Sequence, residues 1–280
     1  MNESAKFLKH QDVNNPLFPD SLLQPDRLDL MGKILIVGGS SAGFAGVHYA
    51  YTKALELGAG EIKVLLPKCL EKLLPKNPDF IFSGNPKSLG FTKEAEDDLK
   101  TLAEWADGIL LIGDFGKNSE TAQVLGKFIR SCESESPTSE QGESAGLLSC
   151  KPIIVTRDAI DLLIDNLPLE NPNLRLLLTF TQLQKLLKTV YYPKIITYTM
   201  PLPQLADVLH KFTLTYQCGI STFAQDSCII SLNGEVIATS LPSTKYNPLT
   251  IWAGEPGVKT LLLTIWSPNP KIAGLAGGIL

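Results

Sequence analysis

The sequence is poor in histidine, in paired cysteines and in excess charge of either sign. Its 280 residues include three histidines and five cysteines, and the formal net charge is −4. A small negative charge without a lysine or arginine cluster argues against a nucleic-acid partner. The cysteines are odd in number and include no C-x-x-C pair, which argues against a disulfide framework and against a zinc site. We therefore expect no metal site built from the protein's own side chains.

Long apolar segments are also missing. The first 30 residues contain no apolar core of signal-peptide length, and no later run approaches the roughly 18 apolar residues of a membrane span. These absences predict a cytoplasmic protein without a membrane partner. With 44% hydrophobic and 19% charged residues, a chain of this length can bury one large core.

The stretch from Lys33 to Leu66 predicts a strand, a helix and a second strand. Lys33 to Val37 is aliphatic and β-branched, as in a strand that is buried on both faces. Apolar residues then recur at helical spacing from Val47 to Leu55, and Gly58 ends the helix. Glu61 to Leu66 is the next strand. Two strands joined in this way are parallel, so the chain begins as an α/β protein.

Four glycines surround the predicted start of this helix: Gly38, Gly39, Gly43 and Gly46. Free N–H groups and the helix dipole at such a start can bind a phosphate or a carboxylate. However, the spacing is not that of the dinucleotide fingerprint, and no Lys-Ser/Thr pair follows as in a P-loop. The alternative, which the glycines alone favour, is that they let the helix pack closely on the strand.

The rest of the chain also contains strand and turn signals. Asn233-Gly234 joins two apolar runs and predicts an antiparallel hairpin with a type I′ turn.

The chain is predicted to form one domain with an N-terminal arm. Residues 1–31 carry prolines without periodicity and are interpreted as a partly extended N-terminal arm, and 32–280 as a single domain. Within it, 131–149 is rich in Ser and Glu and is predicted to be a flexible surface loop. Further strands are predicted at Gly108–Ile112, Pro152–Thr156, Leu174–Leu178 and Ile195–Thr199.

The opening stretch and the order of the later segments resemble one family. The run from Lys33 to Ser40, the glycine-containing turn and Leu57-Gly58-Ala59-Gly60 are similar to the start of the ribokinase-like NAD(P)H-hydrate dehydratases. Those enzymes use ADP or ATP to remove water from hydrated, damaged NADH or NADPH. The resemblance implies a three-layer αβα ribokinase-like fold, with a mostly parallel sheet and an antiparallel edge hairpin.

The same resemblance implies ligands. They are ADP or ATP, an NAD(P)H-type dinucleotide and Mg²⁺ with the nucleotide, so the partners are small-molecule nucleotides. The family commonly forms tetramers, and the apolar N-terminal arm is compatible with a homo-oligomer.

Matching the family's motifs places candidate ligand-binding residues after successive strands. Gly113 and Gly116 match the glycine-rich loop that lines the family's hydrate site. Asp158 matches the second aspartate of the family's Asp-Ala-Asp-Ala-Leu segment, and a helix cap is the alternative role for it. Thr179 matches the threonine that opens the family's Thr-Pro-His-Pro-Gly-Glu segment.

The catalytic motif of the family falls near the C-terminus. Gly254 and Glu255 lie where the family has Gly-x-Gly-Asp, in which backbone N–H groups hold phosphate charge and the aspartate is the base. Glu255 is therefore the candidate base, and Gly254 joins the candidate cofactor-binding residues. An exposed turn glutamate is the alternative, because Pro256 follows and cannot donate an N–H.

Other catalytic groups of the family are replaced. Thr181 stands in place of the histidine, and Ala224-Gln225 in place of the lysine-glycine pair that is directed at the phosphates. Each such loss typically costs two or more powers of ten in rate. Three functions stay open: a divergent NAD(P)H-hydrate dehydratase, which is a lyase of metabolite repair; a catalytically inactive nucleotide-binding or structural relative; and a small-molecule kinase of the same fold.

Overall fold

A computed structural model describes residues 7–19, 24–132, 151–240, 254–267 and 272–277. The predicted loop at 131–149 lies outside these ranges from residue 133 onward. The strands among the described residues are β1 (Leu8–Asp12), β2 (Lys33–Gly38), β3 (Glu61–Pro67), β4 (Phe80–Ser83), β5 (Gly108–Gly113), β6 (Ile153–Thr156), β7 (Leu174–Leu178), β8 (Gly219–Ala224), β9 (Ser227–Leu232) and β10 (Glu235–Ser240). The α-helices are α1 (Ala45–Glu56), α2 (Glu96–Trp105), α3 (Ser119–Ser131), α4 (Asp158–Leu163), α5 (Phe180–Thr189), α6 (Leu202–Tyr216), α7 (Glu255–Trp266) and α8 (Ile272–Gly277).

The strands form one sheet in the order β1-β10-β9-β8-β7-β6-β5-β2-β3-β4. Neighbouring strands from β8 through β7, β6, β5, β2 and β3 to β4 are parallel. Strand β9 runs antiparallel to both β8 and β10, and β1 is parallel to β10. The predicted mostly parallel sheet with an antiparallel hairpin is therefore confirmed.

Helices cover both faces of the sheet, and strand residues alternate between the two cores. In β2, Leu35 and Val37 pack in one core, with α2 to α6. Ile34 and Ile36 pack in the other core, with α1, α7 and α8. A strand covered on both faces reads as a continuous apolar run, which is why these strands are easy to find in the sequence. The result is the predicted three-layer αβα architecture.

The hairpin turn has the predicted geometry. Asn233 and Gly234 have φ of 51° and 78°, and a type I′ turn needs positive φ at both of these positions. The N-terminal arm contributes more than we predicted, since β1 adds an edge strand beside β10. Its sequence, LKHQD, has a single large apolar residue, so no apolar pattern reveals it.

The strand predicted at Ile195–Thr199 is wrong. Strand β7 pairs directly with β8, which leaves no place in the sheet for a strand between them. The segment instead lies beside α5, where the Gln184 side chain donates a hydrogen bond to the carbonyl of Ile196 at 2.9 Å. Among the described residues, no helix combines the length and apolarity that crossing a bilayer requires.

Candidate functional site

The carboxyl ends of β2, β5, β6 and β7 meet at one edge of the sheet, the edge at which ligands of open α/β sheets bind. Helix α1 begins there after β2. Helix α7 begins beside it, since a Cβ added to Gly254 would lie 2.7 Å from the carbonyl oxygen of Gly46. The turns that follow β5, β6 and β7 carry Gly113-Asp114, Arg157-Asp158 and Thr179. We call this edge the carboxyl-edge site.

A buried ion pair lies at the centre of the carboxyl-edge site. Arg157 Nη2 donates to Asp114 Oδ1, and both side chains are only 10% exposed. The other carboxylate oxygen, Asp114 Oδ2, accepts a hydrogen bond from the backbone N–H of Gly46 at 2.6 Å. Helix α1 has no side-chain cap of its own, because its N-cap residue is Phe44. Asp114 therefore supplies both the cap of α1 and the counter-charge of Arg157.

The glycines at the start of α1 make room for protein atoms. A Cβ on Gly46 would overlap the Arg157 guanidinium, so glycine is required for the arginine to lie there. A Cβ on Gly38 would lie 2.5 Å from Ile112 Cγ2 and 2.7 Å from the carbonyl oxygen of Gly113. These contacts agree with the close-packing interpretation of the glycine-rich turn.

Asp158, a predicted ligand-binding residue, is bonded to the loop after β5. Its two carboxylate oxygens accept hydrogen bonds from the backbone N–H groups of Asp114 (2.8 Å) and Phe115 (3.1 Å). Asp158 is the first residue of α4, whose N-cap position is occupied by Arg157, and this helix start has no side-chain cap hydrogen bond. Gly113 has a φ of 96°, and a Cβ on it would overlap the Asp158 carboxylate. Gly116 has a φ of 65° and faces more open space, with Ser40 Oγ at 3.5 Å from a Cβ position.

Thr179 is the N-cap of α5 and forms a capping box with Gln182. The Gln182 N–H donates to Thr179 Oγ1 at 3.2 Å, and the Thr179 N–H donates to Gln182 Oε1 at 3.0 Å. Gln182 Nε2 also donates to the carbonyl of Arg157 at 2.8 Å and to Asp161 at 2.7 Å. Gln182 thus ties the start of α5 to the turn after β6. The T-x-x-Q spacing is the signal that would have identified it.

Gly254 and Glu255 lie at the start of α7. Gly254 has a φ of 91° and is buried against the first turn of α1, whereas Glu255 is exposed. Within the described residues the Glu255 carboxylate has no ion-pair partner. Pro256 is the next residue, so one of the N–H groups that usually point out of a helix start is missing.

Arg157 is a buried charged residue of the carboxyl-edge site that we did not anticipate. It is 9% exposed, and its Nε has no hydrogen-bond partner among the described residues. Its φ is 59°, which is uncommon for a residue other than glycine. No local pattern points to its pairing with Asp114, because the two residues are 43 positions apart in the sequence.

The sheet order and the helices on both of its faces form a three-layer α/β architecture, and comparisons with solved structures show that the fold is ribokinase-like. No protein-family model matches the sequence, and no curated protein matches it significantly. The solved structure of a ribokinase-like superfamily protein from Enterococcus faecalis V583 is similar at a TM-score of 0.62 and 15% identity, over 98% of this chain and 85% of that one.

Two further solved structures are similar over most of their length. A hypothetical protein from Streptococcus mutans has a TM-score of 0.60 at 13% identity, over 92% of this chain and 84% of that one. The ADP/ATP-dependent NAD(P)H-hydrate dehydratase from Bacillus subtilis, co-crystallized with ATP/Mg²⁺, has a TM-score of 0.55 at 11% identity, over 94% and 86%. At these identities the similarity shows the fold. The ribokinase-like resemblance of the sequence is confirmed at that level.

Proposed function

We propose that this chain is a catalytically inactive ribokinase-like protein that binds a nucleotide at the carboxyl-edge site. The observation that carries the proposal is that the carboxylates of Asp114 and Asp158 already accept hydrogen bonds from the protein itself. Asp114 accepts hydrogen bonds from Arg157 and Gly46, and Asp158 accepts two from the loop after β5. A general base must be free to take a proton from the reacting group, so neither Asp114 nor Asp158 can serve as one. Glu255 is exposed, but Pro256 beside it removes one of the N–H groups that would hold phosphate charge in the reaction.

Nucleotide binding is supported by the start of α7. The N–H groups of its first turn have no partner among the described residues, and together with the positive end of the helix dipole they suit a phosphate. Gly254 keeps side-chain bulk away from this start. The similar hydrate dehydratase was crystallized with ATP/Mg²⁺, which favours ADP or ATP as the ligand. We expect Mg²⁺ to enter with the nucleotide, since this ion is often bound through substrate phosphates. An NAD(P)H-type dinucleotide is the second ligand that we propose.

A thermal-melt panel with ADP, ATP, NADH and NADPH tests this function. Each ligand at about 100 times its dissociation constant adds roughly 2.7 kcal/mol, which raises the midpoint by several degrees. We expect a shift with ADP or ATP, and no recovery of NADH from its hydrate when either nucleotide is present. Absence of any shift would refute the binding proposal. Nucleotide-driven turnover, including ADP release from ATP with a second substrate, would refute the inactive assignment.

A divergent NAD(P)H-hydrate dehydratase is the second candidate, because Glu255 is an exposed carboxylate at the start of α7. In that case Glu255 is the base, and Glu255→Gln abolishes recovery of NADH from its hydrate. The control is Glu104→Gln, which makes the same change at an exposed position on α2. Equal activity of both variants would remove Glu255 from the reaction.

A further inference from the structure

A cavity of about 490 Å³ lies beside the last turns of α5, at the opposite end of this helix from Thr179. Its apolar and aromatic walls are Leu187, Tyr191, Tyr192, Ile195 and Ile196, and two of its other lining residues are exposed lysines. We infer that this cavity binds an amphipathic anion, a molecule with an apolar chain and a carboxylate head such as a medium-chain fatty acid. The inference is independent of the proposed function, because none of these residues belongs to the carboxyl-edge site.

The floor of the cavity is buried and held in place by hydrogen bonds. Leu187 and Ile196 are only 3% and 2% exposed. The carbonyl of Ile196 accepts a hydrogen bond from the Gln184 side chain at 2.9 Å, and the Tyr192 hydroxyl donates to the carbonyl of Val208 at 3.4 Å. These bonds fix the segment after α5 against both α5 and α6. The cavity is therefore already formed, and a ligand does not have to order it on binding.

Two large side chains at the mouth of the cavity are almost fully exposed. Tyr191 is 93% exposed and Ile195 is 85% exposed. Single exposed apolar residues are ordinary, but two at the mouth of one cavity form a patch that a ligand can cover. Tyr191 also has a φ of 53° directly after the C-cap of α5, where glycine is the usual residue. A tyrosine kept at such a position calls for a role of its ring outside folding.

The two lysines of the cavity have ammonium donors that the protein does not use. The side chain of Lys188 has no hydrogen bond or ion pair within the ranges that the structure describes. Lys194 Nζ is 3.9 Å from Asp207 Oδ2, which is too far for a hydrogen bond. Asp207 is held more closely by Lys211, whose Nζ lies 3.0 Å from its carboxylate. Lys188 and Lys194 can therefore both donate to an anionic group of a ligand.

The size and charge of the cavity favour a small anion over a second copy of this chain. Small-molecule sites have volumes of roughly 300–1,000 Å³ and are mostly apolar, with a few polar groups that orient the ligand. A second copy docked through a two-fold axis would bring the same lysines, Lys188 and Lys194, close to one another, and like-charge contacts are costly. A carboxylate on an apolar chain matches both features, since the chain fills the cavity and the head group accepts from the lysines.

Calorimetry of the whole chain with hexanoate, octanoate and decanoate, each below its micelle concentration, tests the inference. Each added methylene group that enters the cavity should raise the affinity about fourfold, the hydrophobic effect of one buried CH₂. The neutral reference for octanoate is n-octanol, which should bind at least about fivefold more weakly because it has no charge for the lysines. Failure of all three carboxylates to bind would overturn the inference, as would an affinity that does not change with chain length.

Charge variants locate the head group. Lys188→Gln/Lys194→Gln should weaken octanoate binding at least about fivefold, because both ammonium groups are lost. Its control, Lys72→Gln/Lys100→Gln, makes the same charge change at exposed lysines outside the cavity and should bind octanoate as the wild type does. Equal octanoate affinities in the two double variants would overturn the inference.

A second pair of variants locates the apolar chain. Ile195→Ser should weaken decanoate binding at least about threefold, whereas Leu73→Ser makes the same change at a 72% exposed position outside the cavity. Both positions are exposed, so neither substitution should unfold the protein. Equal decanoate affinities in these variants would exclude a chain bound in this cavity. Self-association of the wild type in sedimentation that Ile195→Ser abolishes would also overturn the inference, because a second copy would then be the occupant.

Discussion

Asp114 and Arg157 form a buried ion pair, and each of the two residues has a φ of 59°. Aspartate tolerates positive φ better than most residues, but Arg157, with a ψ of −141°, lies near a region that is almost restricted to glycine. Such a backbone costs of order 1–3 kcal/mol and persists only where its surroundings hold it. Here Asp158 binds the N–H of Asp114, and Gln182 binds the carbonyl of Arg157.

Mutation of the pair should show strong coupling. Arg157→Gln leaves the Asp114 carboxylate buried and uncompensated, so we expect a loss of about 3–5 kcal/mol of unfolding free energy. Asp114→Asn/Arg157→Gln should recover more than about 1 kcal/mol of that loss, because contacting residues are not additive. Urea unfolding of wild type, both single variants and the double variant gives the coupling energy. Additive effects would contradict a direct interaction.

Gly46→Ala should destabilise the protein, because the new methyl group overlaps the Arg157 guanidinium. Overpacking of this kind typically costs about 1–3 kcal/mol. Gly126→Ala is the matched control: it also lies in a helix, α3, and its Cβ would have no neighbour closer than 3.5 Å. Gly126→Ala should leave the unfolding free energy unchanged or raise it, since alanine favours a helix more than glycine does. Equal midpoints in urea for the two variants would contradict the proposed overlap.

Thr179→Ala should lower stability by about 1 kcal/mol, the usual cost of losing an N-cap. Thr215→Ala is the control, since Thr215 is exposed on α6 and, within the described part of the chain, its hydroxyl bonds only to the Lys211 carbonyl of its own helix. We expect a change within about 0.5 kcal/mol for the control. If Thr179→Ala weakens nucleotide binding but leaves the unfolding free energy unchanged, Thr179 contacts the ligand as the family resemblance implies.

Thiol labelling should separate Cys69 from the buried cysteines. Burial raises the pKa of Cys218 to about 12, and it also raises the pKa of Cys228. Cys69 is only half-buried, with a smaller rise in pKa from the same cause. The thiolate is the reactive form, so iodoacetamide at pH 8 should modify Cys69 well before Cys218 or Cys228, as read by peptide mass spectrometry. Equal rates would contradict the burial of these thiols.

The same raised pKa predicts a dependence of stability on pH. In the unfolded chain Cys218 ionises near its ordinary pKa of about 8.5, whereas in the folded protein it stays protonated up to about pH 12. The folded state then binds more protons, so stability falls as pH rises above about 9. Cys218→Ala should reduce this fall in urea titrations between pH 8 and pH 10. An unchanged pH dependence in the variant would contradict the pKa shift.

Local sequence patterns were sufficient to predict most of the central strands and the hairpin turn. Lys33–Gly38 and Gly108–Gly113 are buried on both faces and therefore appear as apolar runs, and Asn233-Gly234 has the chemistry of a type I′ turn. The edge strand Leu8–Asp12 was missed because edge strands expose polar side chains. Ile195–Thr199 was mistaken for a strand because a short apolar run on a surface loop has the same composition.

The sequence by itself determined the α/β class, the central strands and the hairpin, because each depends on residues within a few positions of one another. Tertiary structure decided the chemistry of the carboxyl-edge site. Asp114 and Arg157 are joined across 43 positions, and Asp158 reaches the loop after β5 across a similar distance. Electrostatic attraction and hydrogen bonding depend on distance in space, and only the packing of β5 beside β6 brings these groups together.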